Sequence, residues 1–203
     1  MKFFGIVVLL GFTFLSFADE PESTLPADYE LRDNFRAGER ELTAGGTVMF
    51  SPWMPMSGRP TINFAGAFAQ LGYMLSDADD DGKWSGNFEG LVEGYGASIF
   101  KGRGNYMAGT TVWVRYNFLP PNCKLVPYFQ GGAGMTLTDV DRNILGQDFN
   151  FNLNLAAGVR YFIKPRCSLN AEYRYQHISN AGMAHQNLGI DAQGGVLSVS
   201  WFF

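Results

Sequence analysis

The stretch Phe149-Asn-Phe-Asn-Leu-Asn-Leu-Ala-Ala-Gly-Val-Arg-Tyr-Phe-Ile163 decides the fold. Phe149, Phe151, Leu153, Leu155, Ala157, Val159 and Tyr161 share one parity; Asn150, Asn152, Asn154, Ala156, Gly158, Arg160 and Phe162 share the other. Successive side chains of a strand point to opposite faces, so this is one long strand with an apolar face and an amide-rich face. A row of asparagines suits the hydrogen-bonded interior of a small barrel whose outer wall meets hydrocarbon.

The same period recurs on both sides. Downstream, Lys164-Pro-Arg166 turns the chain into a strand from Cys167 to about Ser179, and a last strand runs from Gly195 to Phe203. Upstream, strands are expected at Leu125 to Thr138, Tyr106 to Phe118, Asn87 to Phe100, Ile62 to Leu75 and from Glu41 to Phe50. The parity of the Ile62 to Leu75 strand slips midway, as at a β-bulge. Pro52, Pro55, Gly58 and Pro60 mark a loop, as do Asp77 to Gly86, Pro120-Pro-Asn122 and Asp139 to Gln147. The count is eight strands, each long enough to cross a bilayer when tilted. The fold class is therefore all-β, an eight-stranded antiparallel transmembrane β-barrel. Tyr73, Tyr116, Phe118, Tyr161, Trp201 and Phe203 fall where strands on the lipid parity reach an interface. A terminal phenylalanine on that parity resembles the C-terminal signature of bacterial outer-membrane barrels. A soluble sandwich or lipocalin-like barrel is the competing architecture.

Composition agrees. The 203 residues are 46% hydrophobic and 17% charged with a net charge of −4, yet mean hydropathy is near zero. Alternating apolar and polar positions produce that combination, and no basic excess points to nucleic acid. Met1-Lys2, the apolar run from Phe3 to Leu15 and Ser16-Phe17-Ala18 have the layout of a secretory signal, residues 1–18, cleaved after Ala18. Residues 19–40 are charged, carry Pro21 and Pro26, and are expected to hold little structure. The barrel then occupies residues 41–203.

The chemistry-bearing stretch is Glu172-Tyr-Arg-Tyr-Gln-His177-Ile-Ser179-Asn180-Ala-Gly182, with Asp191 a short loop later. It holds one of only two histidines. A nucleophile, a base and an orienting acid are the three parts of a serine hydrolase. With both termini periplasmic, His177 lies ten residues up an outward-running strand from Cys167. At about 3.3 Å per residue and a tilt of about 40°, that is roughly 25 Å, near the outer leaflet. Leu169, Ala171, Tyr173 and Tyr175 are the lipid parity of this strand, and His177 and Ser179 continue it. Polar groups there need a reason to face lipid; the bland reading is a rim pair wetted by headgroups.

His177-Ile-Ser179-Asn180-Ala181-Gly182, followed by Asn187, Gly189-Ile190 and an acidic residue fourteen after the histidine, resembles the lipid A 3-O-deacylase (PagL) family of outer-membrane barrels. The resemblance implies Ser179 as nucleophile, His177 as base and position 191 as the orienting acid. That position is glutamate in the family and aspartate here. It also implies an oxyanion site near Asn180 and Gly182, a lipid A or lipopolysaccharide substrate in the outer membrane, and no cofactor. Other outer-membrane lipid esterases such as phospholipases, and a structural or adhesive barrel without activity, are the alternatives.

Asp77-x-Asp79-x-Asp81-Gly82 opens like a calcium loop, but Phe88 stands where the twelfth-place glutamate is due, so it reads as an acidic turn. His185 lies in the loop after the His177 stretch, and with one other histidine and no cysteine nearby no metal site is expected. Glu89, Glu93, Arg115, Arg160, Glu172 and Arg174 carry the polar parity and read as an interior ion-pair network. Cys123 and Cys167 fall in periplasmic turns, where an oxidising compartment permits a bridge without requiring one.

Overall fold

Each stretch with a period of two forms a strand and pairs with its neighbour in sequence. The structure, a computed structural model, describes residues 30–53, 58–78, 85–119 and 124–203. The expected signal segment, residues 79–82 of the acidic turn and Cys123 lie outside the described residues; the Cys167 thiol is buried and free. The strands are β1 (Arg40–Phe50), β2 (Asn63–Met74), β3 (Gly86–Lys101), β4 (Tyr106–Phe118), β5 (Leu125–Thr138), β6 (Phe149–Lys164), β7 (Cys167–Ser179) and β8 (Ile190–Phe202). All pairings are antiparallel, and β8 returns to β1 to close the barrel. Closure removes every sheet edge, which a spanning sheet in lipid requires.

The two faces follow the parities. Leu71, Val92, Val112, Leu153, Leu155 and Leu197 stand on the outer wall, Leu197 as much as 71% exposed, which only a hydrocarbon surround makes favourable. Aromatic side chains gather at both ends of this wall. Phe88, Tyr116 and Phe118 pack edge to face near the rim that holds the termini, and Phe50 meets Phe100 at the far rim.

Inside, three layers fill the barrel. Phe35, Met74, Leu119, Val126, Phe162 and Phe202 close the rim at the termini. Glu41, Glu89, Glu93 and Glu172 face Arg115, Arg160 and Arg174 across the middle. Gln130 joins the two halves of that network, accepting from Arg115 Nε (2.8 Å) and donating to Glu172 (2.7 Å). Met49, Ile62, Phe64, Met107, Val140, Leu145, Ile178, Ile190 and Ala192 close the far end. Buried charges are tolerable when paired and hydrogen-bonded, and here they cross-link five strands.

Three expectations need correction. The parity of β2 does not slip midway: Phe64, Phe68, Gln70 and Met74 all point inward, and the one register shift lies between Asn63 and Phe64. Large apolar side chains on the inner face of β2, Phe64 and Met74 in the end clusters and Phe68 under Arg174, imitated a slip. The segment before β1 is ordered over its described part. A 3₁₀ turn at Leu31–Phe35 seats the Phe35 ring, fully buried, between Phe162 and Phe202, and Asn34 donates to Pro165 O (2.8 Å). Finally, β8 begins at Ile190 and not at Gly195, so Asp191 already lies in the strand.

Candidate active site

β7 places the first two groups. Leu169, Ala171 and Tyr173 point out on β7, Gln176 and Ile178 point in, and His177 and Ser179 continue the outward row, both partly exposed. Register sets the third. His177 pairs with Asp191 across the β7–β8 ladder, and directly opposed residues share a face. The imidazole Nδ1 lies 2.8 Å from Asp191 Oδ1. An ionised carboxylate only accepts, so Nδ1 carries the hydrogen and Nε2 is left as the basic nitrogen.

Asp191 points outward yet is only 1% exposed. Its cover comes from residues the motif does not contain. The Tyr175 hydroxyl donates to Asp191 Oδ1 (2.6 Å), and Arg59 Nε stands 3.7 Å from Oδ2. The Trp53 amide donates to Asp191 O (2.7 Å), and its indole meets the Tyr175 ring edge to face at 5.3 Å. Trp53 and Arg59 come from the β1–β2 loop, whose Pro- and Gly-rich sequence carries no sign of where it docks. Tyr175 was legible only as the lipid-parity residue two before His177.

Gly189 closes the other side. Its φ of +72° suits glycine, and a Cβ there would sit 3.2 Å from His177 Cε1 and 3.4 Å from Arg59 Nη1. A larger residue would push the imidazole or the guanidinium from its place.

Asn180 and Gly182 are near but already engaged. Asn180 is fully buried; its Nδ2 donates to Leu145 O (2.7 Å) and Gln186 O (2.8 Å), and its amide donates to Asn187 Oδ1 (3.1 Å). The Gly182 amide donates to Asn180 Oδ1 (2.8 Å). Asn180 thus staples the β7–β8 loop to the short helix α1 (Arg142–Leu145) of the β5–β6 loop. Between them, Ala181 adopts φ +53°, and its backbone N–H has no partner among the described residues. Ser179 Oγ likewise has none among the described residues, so the structure unites His177 with Asp191 and leaves the serine on the same face without a bond to the base. No group of three or more metal-ligating side chains occurs among the described residues.

A barrel with a lipid-facing outer wall and a histidine–carboxylate pair on that wall defines a class, the eight-stranded barrels of the bacterial outer membrane. A family model described as "Lipid A 3-O-deacylase (PagL)" matches residues 65–200, and the chain belongs to that family. The match includes His177, Ser179 and Asp191 and leaves out Trp53 and Arg59. Among solved structures, the chain is similar to the outer membrane enzyme PagL, at 17% identity over 78% of this chain and 97% of that one, TM-score 0.53. It is also similar to Neisserial surface protein A (15% identity, 81% and 97% covered, TM-score 0.57). A third likeness is the N-terminal β-barrel domain of Pseudomonas aeruginosa OprF (17% identity, 82% and 98% covered, TM-score 0.52). These likenesses carry the fold. No curated protein sequence matches the chain.

Proposed function

We propose that this barrel hydrolyses an ester-linked acyl chain, a 3-hydroxyacyl chain in the family's pattern, from lipid A of the outer leaflet. The observation that carries the reading is the 2.8 Å contact of His177 Nδ1 with Asp191 Oδ1 on the lipid-facing wall, inside the region that matches the family. An imidazole–carboxylate pair on a lipid-facing wall is costly to keep there, so a function at that place is the default reading.

Ser179 Oγ attacks the acyl carbonyl carbon, and His177 Nε2 takes its proton. The carbonyl π pair moves to oxygen, and the turn after Ser179 faces the oxyanion. Its unengaged donor is the Ala181 amide, held in place by the Asn180 and Gly182 bonds. The ester C–O bond then breaks, and His177 returns the proton to the leaving sugar hydroxyl. Water, deprotonated by His177, cleaves the Ser179 acyl ester, releasing the fatty acid and restoring the serine. Asp191 fixes the tautomer and stabilises the transient imidazolium. No step requires a metal or cofactor.

Mass spectrometry of lipid A from outer membranes with and without the protein tests the reading. The expected result is a species lighter by one acyl group only when the protein is present. Phospholipid loss with intact lipid A would instead favour a phospholipase, and no lipid change would favour a structural or adhesive barrel.

A further inference from the structure

The tyrosine two residues before His177 belongs to the β7 outward row, where an aromatic ring ordinarily needs no further reason than the membrane interface. Its hydroxyl, however, turns back to the wall. Tyr175 pairs with Gln193 and His177 with Asp191, so Tyr175 and Asp191 are diagonal neighbours, a separation an aromatic side chain can span. Three contacts then close a ring: Tyr175 OH to Asp191 Oδ1, the Trp53 indole against the Tyr175 ring, and the Trp53 amide to Asp191 O.

The carboxylate is unevenly held. Oδ1 accepts both the tyrosine hydroxyl at 2.6 Å and the imidazole at 2.8 Å, while Oδ2 is buried with no hydrogen bond and sees only Arg59 Nε at 3.7 Å. A carboxylate bound to the imidazole alone could rotate about Cβ–Cγ, offer either oxygen, or swing to Arg59. The hydroxyl donor selects one rotation and holds Oδ1 in front of Nδ1.

We infer that Tyr175 is a positioning residue that acts on the reaction through Asp191, fixing the carboxylate oxygen that orients the His177 imidazole. This rests on the reading of the site given above. Charge-assisted hydrogen bonds are the strong ones, and a misaligned base costs rate more than it costs substrate binding. Tyr175→Phe keeps the ring against Trp53 and removes only the donor.

The test uses the full-length protein in detergent micelles, lipid A as substrate and fatty-acid release as readout. Tyr175→Phe is expected to lower kcat roughly five- to tenfold with KM changed less than about twofold. In an Asp191→Asn background the same substitution is expected to cost nothing further, because the effect runs through the carboxylate. A wild-type kcat for Tyr175→Phe, or a loss that adds in full to that of Asp191→Asn, overturns the inference. Ser179→Ala runs alongside. If Ser179→Ala is dead and Tyr175→Phe is normal, the positioning role alone fails; if Ser179→Ala turns over normally, the site reading fails and the inference falls with it.

Discussion

Asp191 Oδ1 lies 2.8 Å from His177 Nδ1 because the two residues are directly opposed in the β7–β8 ladder. The shorter aspartate reaches the imidazole by strand register, with no help from a flexible loop. Asp191→Asn keeps the shape and removes the charge, and is expected to slow fatty-acid release from lipid A at least tenfold, about 1.4 kcal/mol. Asp191→Glu gains no reach that is needed and must fit a longer side chain beneath Tyr175, Trp53 and Arg59. Its rate is expected to stay below wild type. A glutamate variant faster than wild type would show that reach limits the enzyme.

Gly189 holds a left-handed conformation in which an added Cβ would sit 3.2 Å from the imidazole edge. Gly189→Ala carries backbone strain of about 1–2 kcal/mol and places a methyl against His177 Cε1. Fatty-acid release is expected to fall about tenfold, about 1.4 kcal/mol in the barrier. Wild-type kinetics in that variant would mean the ring has room to move without consequence.

Asn180 is the staple between two far-rim loops. Asn180→Ala leaves the buried Leu145 O without its donor, at a cost of about 1–3 kcal/mol, and removes the part-buried bond to Gln186 O. Residues 180–189 and α1 are expected to become accessible to protease in micelles while the strands stay resistant. An unchanged cleavage pattern would assign Asn180 a role other than holding the loop.

The Phe35 ring fills the opposite mouth, with the Arg160 guanidinium 5.8 Å from its centroid. Phe35→Ala removes a fully buried ring, and cavities of that size cost about 3–5 kcal/mol. The temperature at which the barrel unfolds on unheated gels is expected to drop, with lipid A deacylation unchanged below it. An unshifted unfolding temperature would mean the mouth is closed by the remaining side chains.

Much of the barrel was legible because lipid outside and a polar network inside make the period of two strict, as on β6 and β7. It blurred where large apolar side chains point inward: Phe64 and Met74 at the two barrel ends, and Phe68 against Arg174, make the inner face of β2 look like an outer one. The start of β8 was hidden for the converse reason, since Ile190 points inward and Asp191 outward, against the lipid pattern. That inversion belongs to the candidate site. His177, Ser179 and Asp191 could be read from their types and spacing beside a family motif. Tyr175, Trp53 and Arg59 could not, because their meeting depends on the β7–β8 register and on how a Pro-rich loop folds back. The 3₁₀ turn at Leu31–Phe35 was masked by its charged surroundings, which suggested a solvated tail.

The central claim is that Ser179, activated by His177, cleaves lipid A. The direct measurement is the initial rate of fatty-acid release from lipid A micelles by purified wild-type protein and by Ser179→Ala, each confirmed folded by its unheated-gel mobility. The Ser179 hydroxyl sits on the outer wall with no hydrogen-bond partner among the described residues, so its truncation should leave the barrel intact. The expected result is steady release by the wild type and none above background by Ser179→Ala; equal rates from the two proteins would contradict the mechanism.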